Sequence, residues 1–152
     1  MYLSIVSVRT INHNMKQIFI NLPVEDLEKS MNFYTKLGFT NYPLFTGENQ
    51  KCMAWGEQIY VMLQSKEFFS SGNKKQIADT KNNIAASFTL PVESLDRVNE
   101  IIESGLKAGG SEPMDMLDEG FMQVRSIEDL DGHIWGVIYL DMDKFKEIKS
   151  MQ

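Results

Sequence analysis

A six-residue element that occurs twice places the strongest constraint on the fold. Residues 22–27 read LPVEDL and residues 90–95 read LPVESL, so five of the six positions are identical. In both copies a β-rich segment gives way to a segment with apolar residues at helical spacing. A repeat of this kind predicts one structural unit used twice, and neither half is large enough to bury a sheet alone.

Each copy of the element lies in the same series of segments, namely a strand, a helix and three further strands. In the first half, we expect the helix to be capped by Asp26 and to end at Gly38. The helix of the second half is predicted over residues 95–106. The predicted strands cover residues 16–24, 39–45, 51–55 and 58–64, and then 87–92, 113–116, 121–127 and 133–140. The fold class is therefore α+β, with two βαβββ modules whose paired curved mixed sheets surround a cavity.

These segments also predict the organisation of the chain. The first module covers residues 15–65 and the second covers residues 84–141, and together they form one domain. The polar segment 66–83 connects them, and residues 142–152 form a C-terminal tail. Residues 1–14 fit neither module, so we expect a dispensable N-terminal extension, with Met15 as the true start.

Composition excludes several classes of function. The chain has 152 residues, and no stretch of about 18 apolar residues predicts a membrane helix. A net charge of −6 argues against binding to nucleic acid. Cys52 is the only cysteine, so no intrachain disulfide can form, which is typical of a cytoplasmic protein.

Two further motifs carry a resemblance to a known family. Residues 21–39, with NLPVEDLEKS followed by FY and LGF, resemble the opening module of the vicinal oxygen chelate superfamily. Residues 128–135, EDLDGHIW, are similar to the closing turn and strand of that superfamily. Its members include glyoxalase I lyases, extradiol dioxygenases, fosfomycin-modifying enzymes and bleomycin-binding proteins. The resemblance covers residues 16–141 and implies the glyoxalase/bleomycin-resistance/dihydroxybiphenyl dioxygenase fold.

The resemblance also implies four positions that hold a divalent metal in the enzymes of the superfamily. In this chain those positions are Phe19, Met62, Ser87 and Gly136. A phenyl ring, a thioether, a hydroxyl and a residue without a side chain are poor ligands for a hard or borderline cation. We therefore expect no metal and no other cofactor.

Strand alternation extends this set to a predicted cavity lining that contains no carboxylate and no imidazole. Its members are Phe19, Asn21, Tyr60, Met62, Gln64, Ser87, Thr89, Gly136 and Ile138.

Other residues have two interpretations each. Trp55, Phe121 and Trp135 either line the cavity or pack in the core, and Arg125 either binds an anionic ligand or forms an ion pair. His133 is a turn residue or a metal ligand, and the acidic residues of 112–119 form a solvated loop or attract a cation.

Two functions follow from these observations. The first is a metal-independent small-molecule binding protein, because general acid–base groups are missing from the predicted lining. The alternative is a metal-dependent lyase, similar to lactoylglutathione lyase, or an extradiol dioxygenase-type enzyme with a displaced site; catalytic residues remain unassigned. Exposed sheet edges and the family resemblance also predict a homodimer.

Overall fold

The computed structural model describes residues 15–152, so the predicted extension of residues 1–14 lies outside the described residues. The first half contains β1 (Ile18–Val24), α1 (Leu27–Leu37), β2 (Thr40–Asn41), a 3-10 helix (Pro43–Phe45), β3 (Gln50–Trp55), β4 (Ile59–Ser65) and α2 (Lys66–Ser70). The second half contains β5 (Ser87–Pro91), α3 (Leu95–Lys107), β6 (Leu117–Asp118), β7 (Met122–Glu128), β8 (Ile134–Leu140) and α4 (Met142–Ser150). None of the helices in this part of the chain is long and apolar enough to cross a membrane.

The strands form two sheets of the same topology. The order is β1-β4-β3-β2 in the first sheet and β5-β8-β7-β6 in the second. In each sheet the first strand pairs with the last in parallel, and the remaining pairs are antiparallel. The predicted α+β fold of two βαβββ modules is confirmed.

Capping residues fix where the two main helices begin and end. The Asp26 carboxylate accepts a hydrogen bond from the Lys29 amide, and Ser94 does the same for the Arg97 amide at the corresponding place in the second module. Gly38 ends α1 in the left-handed region, with a φ of 113°, which only glycine adopts readily.

Two predicted strands differ from the structure. Residues 39–45 do not form one strand, because Pro43 lacks an amide hydrogen and begins a 3-10 helix after the two-residue β2. The strand predicted at 113–116 lies instead at Leu117–Asp118. The C-terminal tail contains α4, which Asp141 caps and whose Phe145 stacks on Phe121 at a centroid distance of 5.1 Å.

Helices α1 and α3 pack against each other and against their own sheets, which joins the two modules in one core. The close approach depends on Gly105 of α3. A Cβ at this position would lie 3.0 Å from Cγ1 of Ile127 and 3.8 Å from Cδ1 of Leu37. A larger residue here would therefore require the Ile127 side chain to shift.

A buried hydrogen-bond network also joins the modules, at the turn of residues 129–133. The Tyr34 hydroxyl of α1 donates to Oδ2 of Asp129 at 2.6 Å and accepts from Nε1 of Trp135 at 2.9 Å. Oδ1 of Asp129 accepts from the amides of Asp131 and His133, which holds the turn itself. Burial, followed by the nearby Asp129 carboxylate, raises the pKa of the Tyr34 phenol well above its usual value.

We expect Tyr34→Phe to lower the free energy of unfolding by about 1–3 kcal/mol, because it leaves a buried carboxylate oxygen and the Trp135 indole N–H without their partner. Urea unfolding measures the change. Tyr139→Phe is the matched control, since the Tyr139 hydroxyl has no hydrogen-bond partner among the described residues, and its cost should stay below about 0.5 kcal/mol. Equal losses in the two variants would contradict a stabilising role for the network.

Candidate ligand-binding face

Each sheet has one face against its helix, and we call the opposite face the far face. In the first sheet, Leu22, Val61 and Leu63 belong to the core that includes α1. The alternating positions therefore lie on the far face. The strand register brings five predicted lining residues together there: Phe19 lies opposite Tyr60, Asn21 opposite Met62, and Gln64 follows on β4.

An aromatic cluster occupies one end of this far face. The ring of Phe19 stacks on that of Tyr60, with centroids 4.8 Å apart and planes inclined by 12°. Phe45 meets Phe19 edge-on at 6.0 Å, and Tyr42 meets Tyr60 at 5.8 Å. Phe19 remains 40% exposed, whereas Tyr60 is 6% exposed. Phe19 therefore offers a ring surface that is held in place by its neighbours.

Amide side chains occupy the other end. Nε2 of Gln64 donates to Oε1 of Gln50 at 3.1 Å and lies 3.5 Å from Oδ1 of Asn21. Met62 and Cys52 lie between the aromatic and amide ends, opposite each other in the register of β3 and β4. The far face of the first sheet thus passes from aromatic to neutral polar, without an ionisable carboxylate or imidazole along β1 and β4.

In the second sheet, the same alternation separates core from far face. Phe88, Leu90, Trp135 and Val137 pack in the core. The predicted lining residues lie on the other face, where Thr89 is opposite Gly136, Pro91 is opposite Ile138, and Ser87 begins β5. A Cβ at Gly136 would lie 3.0 Å from Oγ1 of Thr89, so a longer side chain would require Thr89 to shift.

The four positions implied as metal ligands are related in the same way in both modules. Phe19 and Met62 lie diagonally across the β1–β4 pair, as Ser87 and Gly136 do across the β5–β8 pair. Within residues 15–152, no three His, Cys, Asp or Glu side chains are grouped so that they could hold a metal ion. The side chains at these four positions do not fit the divalent cation that the superfamily resemblance implies. Convergence of all four positions across the two sheets stays a prediction.

Arg125 lies on the helix side of the second sheet, opposite Val137. Its guanidinium donates to both carboxylate oxygens of Glu112, at 2.9 and 2.8 Å, and to Glu103 and Asn99 of α3 at 3.1 and 3.0 Å. These hydrogen bonds, led by those to Glu112, raise the pKa of Arg125, and Arg125 in turn lowers the pKa of Glu112. Of the two interpretations, the structure shows the ion pair, and an anionic ligand at Arg125 stays a prediction.

The other residues with two interpretations take structural positions. Trp135 packs in the core, Trp55 packs on Phe39 at 5.0 Å, and Phe121 stacks on α4. His133 is buried in its turn. Among the acidic residues of 112–119, Glu112 pairs with Arg125, and Asp118 accepts from Gln123 and the Gly120 amide.

Sequence reasoning missed Tyr42 and Phe45 as members of the aromatic cluster. Both were included in one predicted strand, in which alternation assigned them no common face. Pro43 between them is the signal that could have indicated the 3-10 turn that brings both rings towards Tyr60.

Cys52 of this far face should be chemically inert in the folded protein. It is fully buried, and burial raises the pKa of its thiol to about 11, so about one molecule in a thousand carries the thiolate at pH 8. We expect Ellman's reagent to react with the native protein far more slowly than with the urea-unfolded protein. Comparable rates would show that the thiol reaches solvent.

Comparisons with known proteins agree with this fold. Residues 16–54 match a family model described as bleomycin resistance protein-like N-terminal. No curated protein matches the sequence. A hypothetical protein from S. aureus is similar in structure, with a TM-score of 0.69, 24% identity, and coverage of 82% of this chain and 94% of that one.

Two further solved structures are similar. A glyoxalase/bleomycin resistance protein/dioxygenase family enzyme from Burkholderia phytofirmans gives a TM-score of 0.69 at 11% identity, covering 83% of this chain and 99% of that one. A glyoxalase-related enzyme from Fulvimarina pelagi gives 0.68 at 18% identity, covering 82% and 88%. At identities this low, the structural similarity establishes the fold alone. The reaction has to be argued from the site.

Proposed function

We propose that this chain, which has the fold of the glyoxalase, bleomycin-resistance and dioxygenase superfamily, is a metal-independent small-molecule binding protein. The observation that carries the proposal is the stack of Phe19 on Tyr60. Phe19 occupies a position at which the superfamily resemblance implies a metal ligand. A ring in that place favours contact with a planar apolar group over coordination of a cation.

The rest of the far face supports binding rather than catalysis. Its amide end, Gln64 with Gln50, can orient a polar substituent, while the exposed ring of Phe19 contacts the apolar part of a ligand. Proton transfer at neutral pH needs a group that titrates near that pH. Cys52, with a thiol pKa of about 11, does not supply one.

The comparisons suggest the ligands and reactions to test first. The description of the family model points to bleomycin as one ligand. The structural relatives named as enzymes keep a metal-dependent lyase or dioxygenase as the alternative. We also propose that the protein is a cytoplasmic homodimer, because it has a single cysteine and exposed sheet edges.

Calorimetry with Zn²⁺, Ni²⁺, Mn²⁺ and Fe²⁺ tests metal independence. We expect no binding tighter than about 10 μM, which corresponds to a binding free energy of only about −7 kcal/mol. The reason is that the four implied positions offer a phenyl ring, a thioether, a hydroxyl and no side chain. Stoichiometric binding at nanomolar affinity would favour the enzymatic alternative instead.

Phe19→Ala tests whether the aromatic cluster binds ligand. Bleomycin and a set of neutral planar aromatic compounds are first compared by thermal shift, and the Kd of each binder is then measured by calorimetry. Loss of a stacking contact worth about 1.4 kcal/mol should weaken binding about tenfold.

Ile18→Ala provides the matched control for Phe19→Ala. Ile18 is the preceding residue on β1, is 55% exposed, and alternates to the helix side of the sheet. The control variant should bind with unchanged affinity. If the two variants weaken binding equally, or if no compound binds the unmodified protein, the proposed face is wrong.

A further inference from the structure

A second cavity, separate from the aromatic cluster, lies between the connecting segment and two strands, β1 of the first sheet and β5 of the second. It has a volume of about 290 Å³. Pro23 and Phe88 border it from the strands, Phe69 from α2, Ile77 from the connecting segment, and Ala86 from the residue before β5. Of the predicted far-face residues, only Asn21 also borders this cavity.

The lining determines the polarity and size of an occupant. No Asp, Glu, Lys or Arg side chain borders the cavity, so a charged ligand would lose its hydration without gaining a partner. Two phenyl rings, Phe69 and Phe88, border it together with aliphatic residues. Since an engineered cavity of about 150 Å³ accommodates benzene, about twice that volume accommodates a two-ring compound.

His133 supplies a hydrogen-bond acceptor at this cavity. Nε2 of His133 lies 2.8 Å from the carbonyl oxygen of Pro23, and because a carbonyl can only accept, Nε2 carries the hydrogen. In the neutral ring this leaves Nδ1 as an acceptor. Nδ1 has no hydrogen-bond partner among the described residues, although every wholly buried side-chain nitrogen or oxygen in this part of the chain has one. Nδ1 is therefore not wholly buried, and His133 is one of the residues that border this cavity.

Two other polar side chains at the cavity have their donors engaged. The Thr80 hydroxyl donates to the carbonyl oxygen of Asp131 at 2.7 Å, and Nδ2 of Asn83 donates to the carbonyl oxygen of Asp79 at 3.1 Å. His133 provides one acceptor that a ligand can use. Its orientation is fixed, because the His133 amide is held by Asp129 and the ring by Pro23.

We infer that the cavity beneath the connecting segment binds a small neutral aromatic molecule that carries an N–H or O–H donor. The donor hydrogen-bonds to Nδ1 of His133, and the ring system contacts Phe69, Phe88 and Pro23. This site goes beyond the proposed function and does not depend on it, because the two sites use different rings and different polar groups.

Indole and 1-methylindole form a matched pair of probes, since methylation removes the donor and leaves the ring system unchanged. Calorimetry should give a Kd for indole below about 1 mM, at least tenfold lower than that for 1-methylindole. Equal affinities would overturn the role of His133, and a Kd for indole well above this range would overturn the site.

Nitrogen NMR locates the hydrogen bond independently of affinity. The chain contains two histidines, so histidine-selective ¹⁵N labelling gives few signals, and a His13→Gln variant assigns those of His133. Indole should shift the Nδ1 resonance of His133 and leave Nε2 nearly unchanged, whereas 1-methylindole should shift neither. An unaffected Nδ1 resonance in the presence of saturating indole would exclude the proposed contact.

Filling the cavity tests its location. Ala86→Leu and Ala78→Leu add volume at two exposed lining positions, and each should weaken indole binding at least tenfold. Gln76→Leu is the control, because Gln76 is exposed on the same segment and does not border the cavity. Unchanged indole binding in the Ala86 and Ala78 variants would overturn the inference.

Discussion

The hydrogen bonds that join the first module to the turn of residues 129–133 are the constraint on which the rest of the structure depends. Tyr34 reaches this turn from α1, the Glu25 amide donates to Asp131 at 2.9 Å, and His133 reaches the Pro23 carbonyl. Two of these contacts start at the strand-to-helix junction of the first module, at Pro23 and Glu25, and the third starts in α1. They therefore fix the position of the junction relative to β8, and with it the packing of α1 on α3. A carboxylate as buried as that of Asp129, whose pKa burial raises, is tolerated because three donors surround it.

The same turn shapes the cavity beneath the connecting segment. Gly132 adopts a φ of 87°, and a Cβ there would lie 2.3 Å from the Thr80 carbonyl oxygen, so the connecting chain can approach the turn only at a glycine. The Thr80 hydroxyl then binds the turn at the Asp131 carbonyl. One group of contacts thus holds the two modules together, brings the connecting segment against them and orients the ring of His133. A substitution that loosens the turn should consequently affect both stability and the cavity.

The repeated element allowed the fold to be predicted because it fixes the strand-to-helix junction of each module. Strand alternation then assigned five residues to one face of the first sheet, namely Phe19, Asn21, Tyr60, Met62 and Gln64. Strand alternation could not predict on which face of the second sheet Arg125 lies, because the faces of β7 are assigned only by its pairing with β8. It also could not reveal α4, whose fixed position depends on a tertiary contact between Phe145 and Phe121. The cavity beneath the connecting segment could not be predicted from the sequence for a related reason. Its outer wall comes from small residues and isolated apolar residues without periodicity, and only their packing against β1 and β5 gives them a common surface.

The geometry of the two far faces explains why metal binding at the four implied positions would need more than one substitution. In the first sheet, a ligand in place of Phe19 would remove one ring from a cluster in which Tyr60, Tyr42 and Phe45 support one another. In the second, a carboxylate side chain at Gly136 would place its Cβ 3.0 Å from Thr89, so Thr89 would have to move or become smaller. Each sheet therefore requires at least two coordinated changes, and any single change costs packing before it gains a ligand. This geometry supports the proposed recognition of neutral, partly aromatic molecules, for which close packing and neutral amides are the relevant interactions.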